Sequence, residues 1–305
     1  MVHNQEPAAA GLSRTQFDAL VLLEQSEARL SQRELASAMN RSLGTINRTI
    51  VSLTEMGLVS KGRITHAGMD ALEPYRVKRA VFIAAGFGTR LVPVTLNTPK
   101  PLVRVNGKRI IDTLLDAVLA AGIKDIVIVR GYLAEQFDQL LYKYPMIRFI
   151  ENPAYNETNN ISSAMCARYL LSSAYVFEAD LLVSNPAIIQ KYQYRSNFLG
   201  IWAERTDDWC FVVRNGIIES QQVGGLNCYQ EVGISYWSEM DGAKLAEHIK
   251  QAYELPGGKE RFWDQVPFVV FPNEYAVEIR VCTPEDVVEI DTYNELKALD
   301  KSYDV

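Results

Sequence analysis

AAGFGTRLVPVTLNTPKPL, residues 84–102, follows directly on the apolar run Val81-Phe82-Ile83. A short β-prone run opening into such a stretch reads as a buried strand that ends at a ligand-binding loop. Gly86 and Gly88 let backbone N–H groups approach an anion closely. Arg90 and Lys100 add positive charge at set points, and Pro93, Pro99 and Pro101 stiffen the chain between them. No acid interrupts the stretch. The loop suits a polyphosphate. It is not a Walker A loop, because no Gly-Lys-Ser/Thr follows. It is not the dinucleotide fingerprint either, because GFGTRL lacks the third glycine.

Downstream of the loop, short apolar runs alternate with helical stretches. Strands are predicted at Val81–Ala84, Asp125–Val129, Met146–Ile150 and Ala174–Asp180. Helices are predicted at Ile110–Ala121, Ala134–Lys143 and Ile161–Leu171. This alternation implies an α/β domain with a mostly parallel, Rossmann-like sheet and helices on both faces. Ligands of such sheets bind at the carboxyl ends of strands, near a switch in strand order. Asp180 ends one predicted strand, where a buried acid needs a partner. Asp291 stands before Thr292-x-x-Glu295, a capping box that opens a helix.

Upstream, the pattern is different. Residues 1–10 are small and polar and read as unstructured. A helix is predicted over Ser13–Gln25, and Ser31-x-x-Glu34 caps a second that runs to Met39. Ser42 caps a third, with Leu43, Ile46, Ile50 and Leu53 at helical spacing. LVSKGRIT then reads as two short strands around Lys61-Gly62, before a further helix. The chain divides into residues 1–77, small and mainly helical, and residues 78–305, the α/β domain.

Composition narrows the function classes. The 305 residues are 48% hydrophobic and 22% charged, with net charge −6, as expected of a globular protein. Residues 1–79 hold ten basic and eight acidic side chains, and the remainder 21 and 29. The head is therefore weakly basic and the body acidic, which hints at different partners. No apolar run nears the ~20 residues of a membrane helix, and the opening residues lack a signal-peptide layout. A cytoplasmic protein without membrane contact is expected. Cys166, Cys210, Cys228 and Cys282 are scattered, without CxxC spacing, so structural zinc is not expected. His3, His66 and His248 have no partner suggesting a triad.

The order helix, helix, turn, helix, wing over residues 12–75 resembles a winged helix-turn-helix domain of MarR-like regulators. Such domains place the third helix in the major groove. The candidate DNA contacts are Arg41, Arg48, Lys61 and Arg63. The alternative is an accessory domain that binds no DNA, or binds it only as a dimer.

The loop resembles the signature of nucleotidyltransferases that make nucleoside-diphosphate sugars and related activated alcohols. Its elements are Ala84-Ala85-Gly86, Gly88-Thr89-Arg90, Pro93-x-Thr95 and Pro99-Lys100-x-Leu102. The resemblance implies that Ala84, Ala85, Gly86, Gly88, Thr89 and Arg90 wrap a nucleoside triphosphate, with Lys100 at the α-phosphate. Most of residues 79–302 further resembles the bacterial CTP:phosphocholine cytidylyltransferases, through KDIVIVRGYLAEQFDQL, YNETNNISSAMCA, FEAD, DDWCF, VGISYW, RFWDQV and EIDTYNELKALD. That implies Asn160 and Ser163 near the base, Mg²⁺ on Asp180 and Asp291, and Trp209, Phe262, Trp263 and Glu231 at the acceptor. Asp207, Asp208 and Asp264 are further available acids. Phe262 stands where the branch leads one to expect tyrosine. The implied reaction joins CTP and phosphocholine to CDP-choline and pyrophosphate. The alternative acceptors within the class are 2-aminoethylphosphonate, phosphoethanolamine or a sugar 1-phosphate, the last disfavoured by the absence of a Q-x-x-P-x-G-x-A loop. A transcriptional regulator that only senses nucleotide is the reading from another class. Homodimer formation stays open.

Overall fold

The computed structural model describes residues 11–26 and 28–304. The stretch expected to be unstructured, residues 1–10, lies outside these. The chain forms two compact units that divide between Arg76 and Val77.

The first unit opens with α1 (Arg14–Gln25), α2 (Gln32–Ala38) and α3 (Leu43–Glu55). Capping boxes at Ser13/Gln16 and Ser31/Glu34 satisfy the first free amides of α1 and α2, and the Ser42 hydroxyl accepts from Thr45 N at the start of α3. A two-residue turn joins β1 (Val59–Ser60) to β2 (Arg63–Ile64), and α4 (His66–Leu72) follows. Phe17, Leu20, Leu35, Ile46, Leu53 and Leu72 form its core. Leu43 does not join them. It stays exposed with Arg48 and Val51 on the outer side of α3.

The second unit is built on a seven-stranded sheet. In chain order come β3 (Arg79–Ala84), the small hairpin β4 (Arg104–Val105) and β5 (Lys108–Arg109), α5 (Ile110–Ala120), β6 (Asp125–Arg130), β7 (Arg148–Glu151), α6 (Ile161–Ala167), β8 (Ala174–Glu178) and β9 (Leu181–Val183). The long arms β10 (Asn197–Arg214) and β11 (Ile217–Trp237), α7 (Glu239–Glu254), β12 (Glu278–Cys282), β13 (Val287–Glu289) and α8 (Tyr293–Leu299) complete it. The sheet order is β10-β12-β11-β8-β3-β6-β7. Strands β7, β6, β3 and β8 run parallel, and β11 joins β8 antiparallel.

Alternation along β3 sets the two layers. Ala80, Phe82 and Ala84 face the cluster that includes Leu114, Leu115 and Val118 of α5. Val81 and Ile83 face Ile161 and Ala164 of α6 and Leu245 and Ile249 of α7. Successive residues of a strand point to opposite faces, so a strand covered on both sides is apolar throughout.

The chain runs β3, β6, β7 outward on one side and then returns to β8 on the other. The switch in strand order therefore lies beside β3, where such sheets open a crevice. The glycine loop leaves β3 at that point. Three expectations shift. Strand β8 ends at Glu178, so Asp180 lies in the turn before β9 and not on the strand. Residues Ala134–Tyr142 form a 3₁₀ and not an α-helix. The helix expected to reach Leu171 stays α-helical only to Ala167.

Candidate active site

A cleft of about 380 Å³ sits at the switch point. The glycine loop forms one side. Gly88 has φ +63°, and a Cβ there would stand 2.9 Å from Lys100 Cβ, so glycine is required for both conformation and contact. The Thr95 hydroxyl donates to Gly88 O at 2.8 Å and closes the loop on itself. Ala84, Ala85, Gly86, Gly88, Thr89, Arg90 and Lys100 all line the cleft.

The acids arrive from two distant segments. Strands β9 and β13 pair antiparallel, with Leu181 opposite Glu289. That register brings Asp180 and Asp291 together. Glu295 Oε2 accepts from the amides of Asp291 and Thr292 at 2.8 Å, fixing the start of α8. Lys100 Nζ lies 2.8 Å from Asp180 Oδ2 and 3.0 Å from Asp291 Oδ1. Arg90 reaches Asp291 at 2.7 Å. Burial alone would depress the Lys100 ammonium, but Asp180 and Asp291 outweigh it and hold its pKa above the ordinary lysine value.

Two further carboxylates join these. Oxygens of Glu178, Asp180 and Glu289 come within 4.8 Å of one another. Burial, with the nearby Asp180 and Glu178, pushes Glu289 up to about 10. Burial, then Asp180 and Asp264, also raise Glu178 well above the carboxylate range. Asp180 Oδ1 is buried with no hydrogen-bond partner among the described residues. An all-oxygen donor set with one unused buried oxygen fits a hard divalent cation. Sequence reasoning missed Glu178 and Glu289, although each stands two residues before its aspartate in FEAD and EID.

The amide-rich loop after β7 lines the cleft from another side. Asn160 Nδ2 donates to Glu178 Oε1 at 3.3 Å, and its Oδ1 accepts from Trp263 N at 2.8 Å. Ser163 is held by Asn152 Nδ2 at 3.0 Å. Thr158 and Asn159, from the YNETNNISSAMCA stretch expected around the base, also line the cleft, and so does Asn152, which was not anticipated.

The residues expected at the acceptor separate. Phe262 lines the cleft, 37% exposed, and meets half-buried Trp209 edge-on at 5.8 Å between centroids. Trp263 does not belong with them. It is 1% exposed and packs in the core against Phe198 and Trp237. Glu231 and Asp264 belong to a carboxylate cluster that is not among the residues lining the cleft. Gln221 Nε2 donates to Glu231 Oε2 at 2.7 Å and also to the Asp264 carboxylate. Asp264 is 7% exposed, and its Oδ1 has no partner among the described residues. Burial, then Asp264, raises Glu231 well above its usual range, and burial raises Asp264 despite its bonds to Glu231 and Gln221.

Residues 79–198 match the nucleotidyl transferase family model, and residues 12–65 match that of the MarR family. The chain is 38% identical over 232 residues to a 2-aminoethylphosphonate cytidylyltransferase of Lancefieldella rimae, covering 73% of this chain and 92% of that protein. It is 32% identical over 233 residues to a choline-phosphate cytidylyltransferase of Streptococcus pneumoniae, covering 73% and 97%. The solved CTP:phosphocholine cytidylyltransferase of Streptococcus pneumoniae superposes with a TM-score of 0.68 at 30% identity, over 74% of this chain and 99% of that one. No helix among the described residues is long and apolar enough to cross a membrane.

Proposed function

The chain belongs to the nucleotidyltransferase family and is a cytidylyltransferase, and we propose that its acceptor is a short phosphono- or phospho-amine with a primary ammonium, 2-aminoethylphosphonate first among them. The observation that carries this is the Glu231–Gln221–Asp264 cluster with its unpartnered Asp264 oxygen. Buried carboxylates without a cation are costly. A primary ammonium offers N–H donors to them, and a trimethylammonium offers none. The Lancefieldella relative's name points the same way. Phosphocholine is the second reading. It is favoured by the Trp209–Phe262 pair, since a quaternary ammonium is drawn to aromatic faces.

In this reaction an anionic oxygen of the acceptor forms a bond to the α-phosphorus of CTP. The bond from that phosphorus to the bridging oxygen breaks, and pyrophosphate leaves. The attacker is already anionic, so no general base is needed. Positioning and charge neutralisation supply the catalysis. Lys100 and Arg90 exchange their carboxylate partners for phosphate oxygens. Asp180 and Asp291, backed by Glu289 and Glu178, would hold Mg²⁺, which when bound neutralises charge on the phosphates.

Pyrophosphate release with CTP and each amine tests the acceptor. 2-Aminoethylphosphonate is expected to exceed phosphocholine in kcat/KM, and Asp264→Asn to lower its kcat/KM roughly 10- to 100-fold, the worth of a hydrogen bond to a charged group. A wild-type preference for phosphocholine overturns the assignment.

For the winged unit we propose duplex DNA as the partner. Arg41, Arg48, Lys61 and Arg63 are all exposed. Four phosphate contacts would give a slope of log affinity against log salt of about −3 to −4. Retention on DNA that does not change with salt would remove this reading.

A further inference from the structure

One wall of the cleft plays no part in the chemistry above. Phe87 stands between Gly86 and Gly88 and is 41% exposed. Around it the cleft is lined mostly by amides, hydroxyls and charges. Its ring meets Tyr132 at 5.1 Å and Tyr155 at 5.4 Å between centroids, tilted by about 50° to each. Both tyrosines are half-buried.

The wall is bolted in place. Tyr132 N donates to Ala85 O at 3.1 Å. Its hydroxyl lies within hydrogen-bond distance of Thr95 O at 2.9 Å and Leu96 O at 3.1 Å. Tyr132 thus ties the start of the glycine loop to its middle. Tyr155 packs against the chain at Gly131, where a Cβ would approach its Cγ to 2.6 Å. A side chain at residue 131 would push this ring away.

Phe87 and Tyr155 share the cleft with Thr158, Asn159 and Asn160. The rings offer a π face, and the amides and hydroxyl offer donors and acceptors. A pyrimidine is flat on its face and polar around its edge, so it uses both. We infer that Phe87, backed by Tyr132 and Tyr155, is the stacking wall for the cytosine of CTP and sets the affinity for the nucleotide. This rests on the cytidylyltransferase reading. Phe87 acts on the base and not on the reacting phosphates.

The test is calorimetric titration of the full chain with CTP, and separately with inorganic triphosphate, which carries no base. Phe87→Ala is expected to weaken CTP binding and raise its KM about tenfold or more, within the range for base–aromatic stacking. Binding of inorganic triphosphate and kcat at saturating CTP should stay close to wild type. Phe87→Tyr should keep most of the affinity, and Phe87→Leu little of it. Unchanged CTP binding in Phe87→Ala overturns the inference. So does an equal loss for inorganic triphosphate, which would make Phe87 a support of the phosphate loop. Full retention by Phe87→Leu also overturns it, because bulk would then suffice. Failure of the wild type to bind CTP would sink the cytidylyl reading and this inference together. Wild-type CTP binding that Phe87→Ala leaves at full strength sinks this inference alone.

Discussion

Lys100→Met is expected to lower kcat for pyrophosphate release by about 10²–10³-fold, the loss seen when one donor to a developing oxyanion is removed. Lys100 is nearly buried, 8% exposed, and its ammonium sits between Asp180 and Asp291. Its stem rests against Gly88, so the loop and the charge are positioned together. In the transition state charge gathers on the phosphate oxygens, and a fixed cation stabilises that state more than the bound substrate. KM for CTP should change much less than kcat. A purely structural lysine predicts another pattern. Its removal leaves Asp180 without a cation beside Asp291, which keeps Arg90, and breaking a buried pair costs about 3–5 kcal/mol. The melting temperature would then fall and the surviving folded enzyme would turn over normally. Pyrophosphate release at saturating CTP, read beside a thermal melt, separates the two. Turnover equal to wild type in the folded variant removes Lys100 from the mechanism.

What was legible in the sequence is what lies close together along the chain. Residues 84–102 carry the loop, its cations and its prolines in one stretch, so spacing alone outlines an anion site. The Ser31/Glu34 and Thr292/Glu295 boxes are three residues apart, and both cap helices in the structure. The acids at the site are different. Glu178 and Glu289 meet only because β9 and β13 pair with Leu181 opposite Glu289, more than a hundred residues away. Nothing local encodes that register. Gln221, Glu231 and Asp264 likewise come from β11 and from the segment between α7 and β12, and are joined through side chains.

The aromatics show the same limit. Phe262 and Trp263 are neighbours in sequence, yet one lines the cleft and the other is core. Their segment turns into a π-helical stretch at Val266–Val270, and its local geometry sends adjacent side chains to different sides. Composition counts two candidate rings there and cannot say which one faces a ligand. With Trp263 in the core and two raised carboxylates, Glu231 and Asp264, joined through Gln221, the weight of the proposed acceptor reading moves from an aromatic cage toward hydrogen bonding. That shift moves the favoured acceptor from phosphocholine to 2-aminoethylphosphonate.

Asp180→Asn is expected to cut turnover by about 10²-fold at limiting Mg²⁺, since a metal ion on a phosphoryl oxygen is worth several kcal/mol. The substitution keeps the size of the side chain and removes its charge. Two readings of Asp180 compete. In one, its carboxylate serves only to hold Lys100, to which it is bonded at 2.8 Å. In the other it is a cation ligand, as its unpartnered buried Oδ1 and the convergent oxygens of Glu178 and Glu289 suggest. The two separate on a Mg²⁺ titration. A ligand role predicts that activity recovers in part as Mg²⁺ rises, because the weakened site fills by mass action. A positioning role predicts the same fractional loss at every concentration. Mn²⁺ gives a readout that does not depend on turnover, because its paramagnetic resonance signal changes on binding. In the presence of CTP, Asp180→Asn should bind Mn²⁺ more weakly than wild type. If Mn²⁺ binding is unchanged and the activity loss ignores Mg²⁺, Asp180 positions Lys100 and the metal lies elsewhere. Asp291→Asn then becomes uninformative about a metal, because it shares both Lys100 and Arg90 as partners. Asp180, which touches only one of the two cations, is the cleaner place to ask.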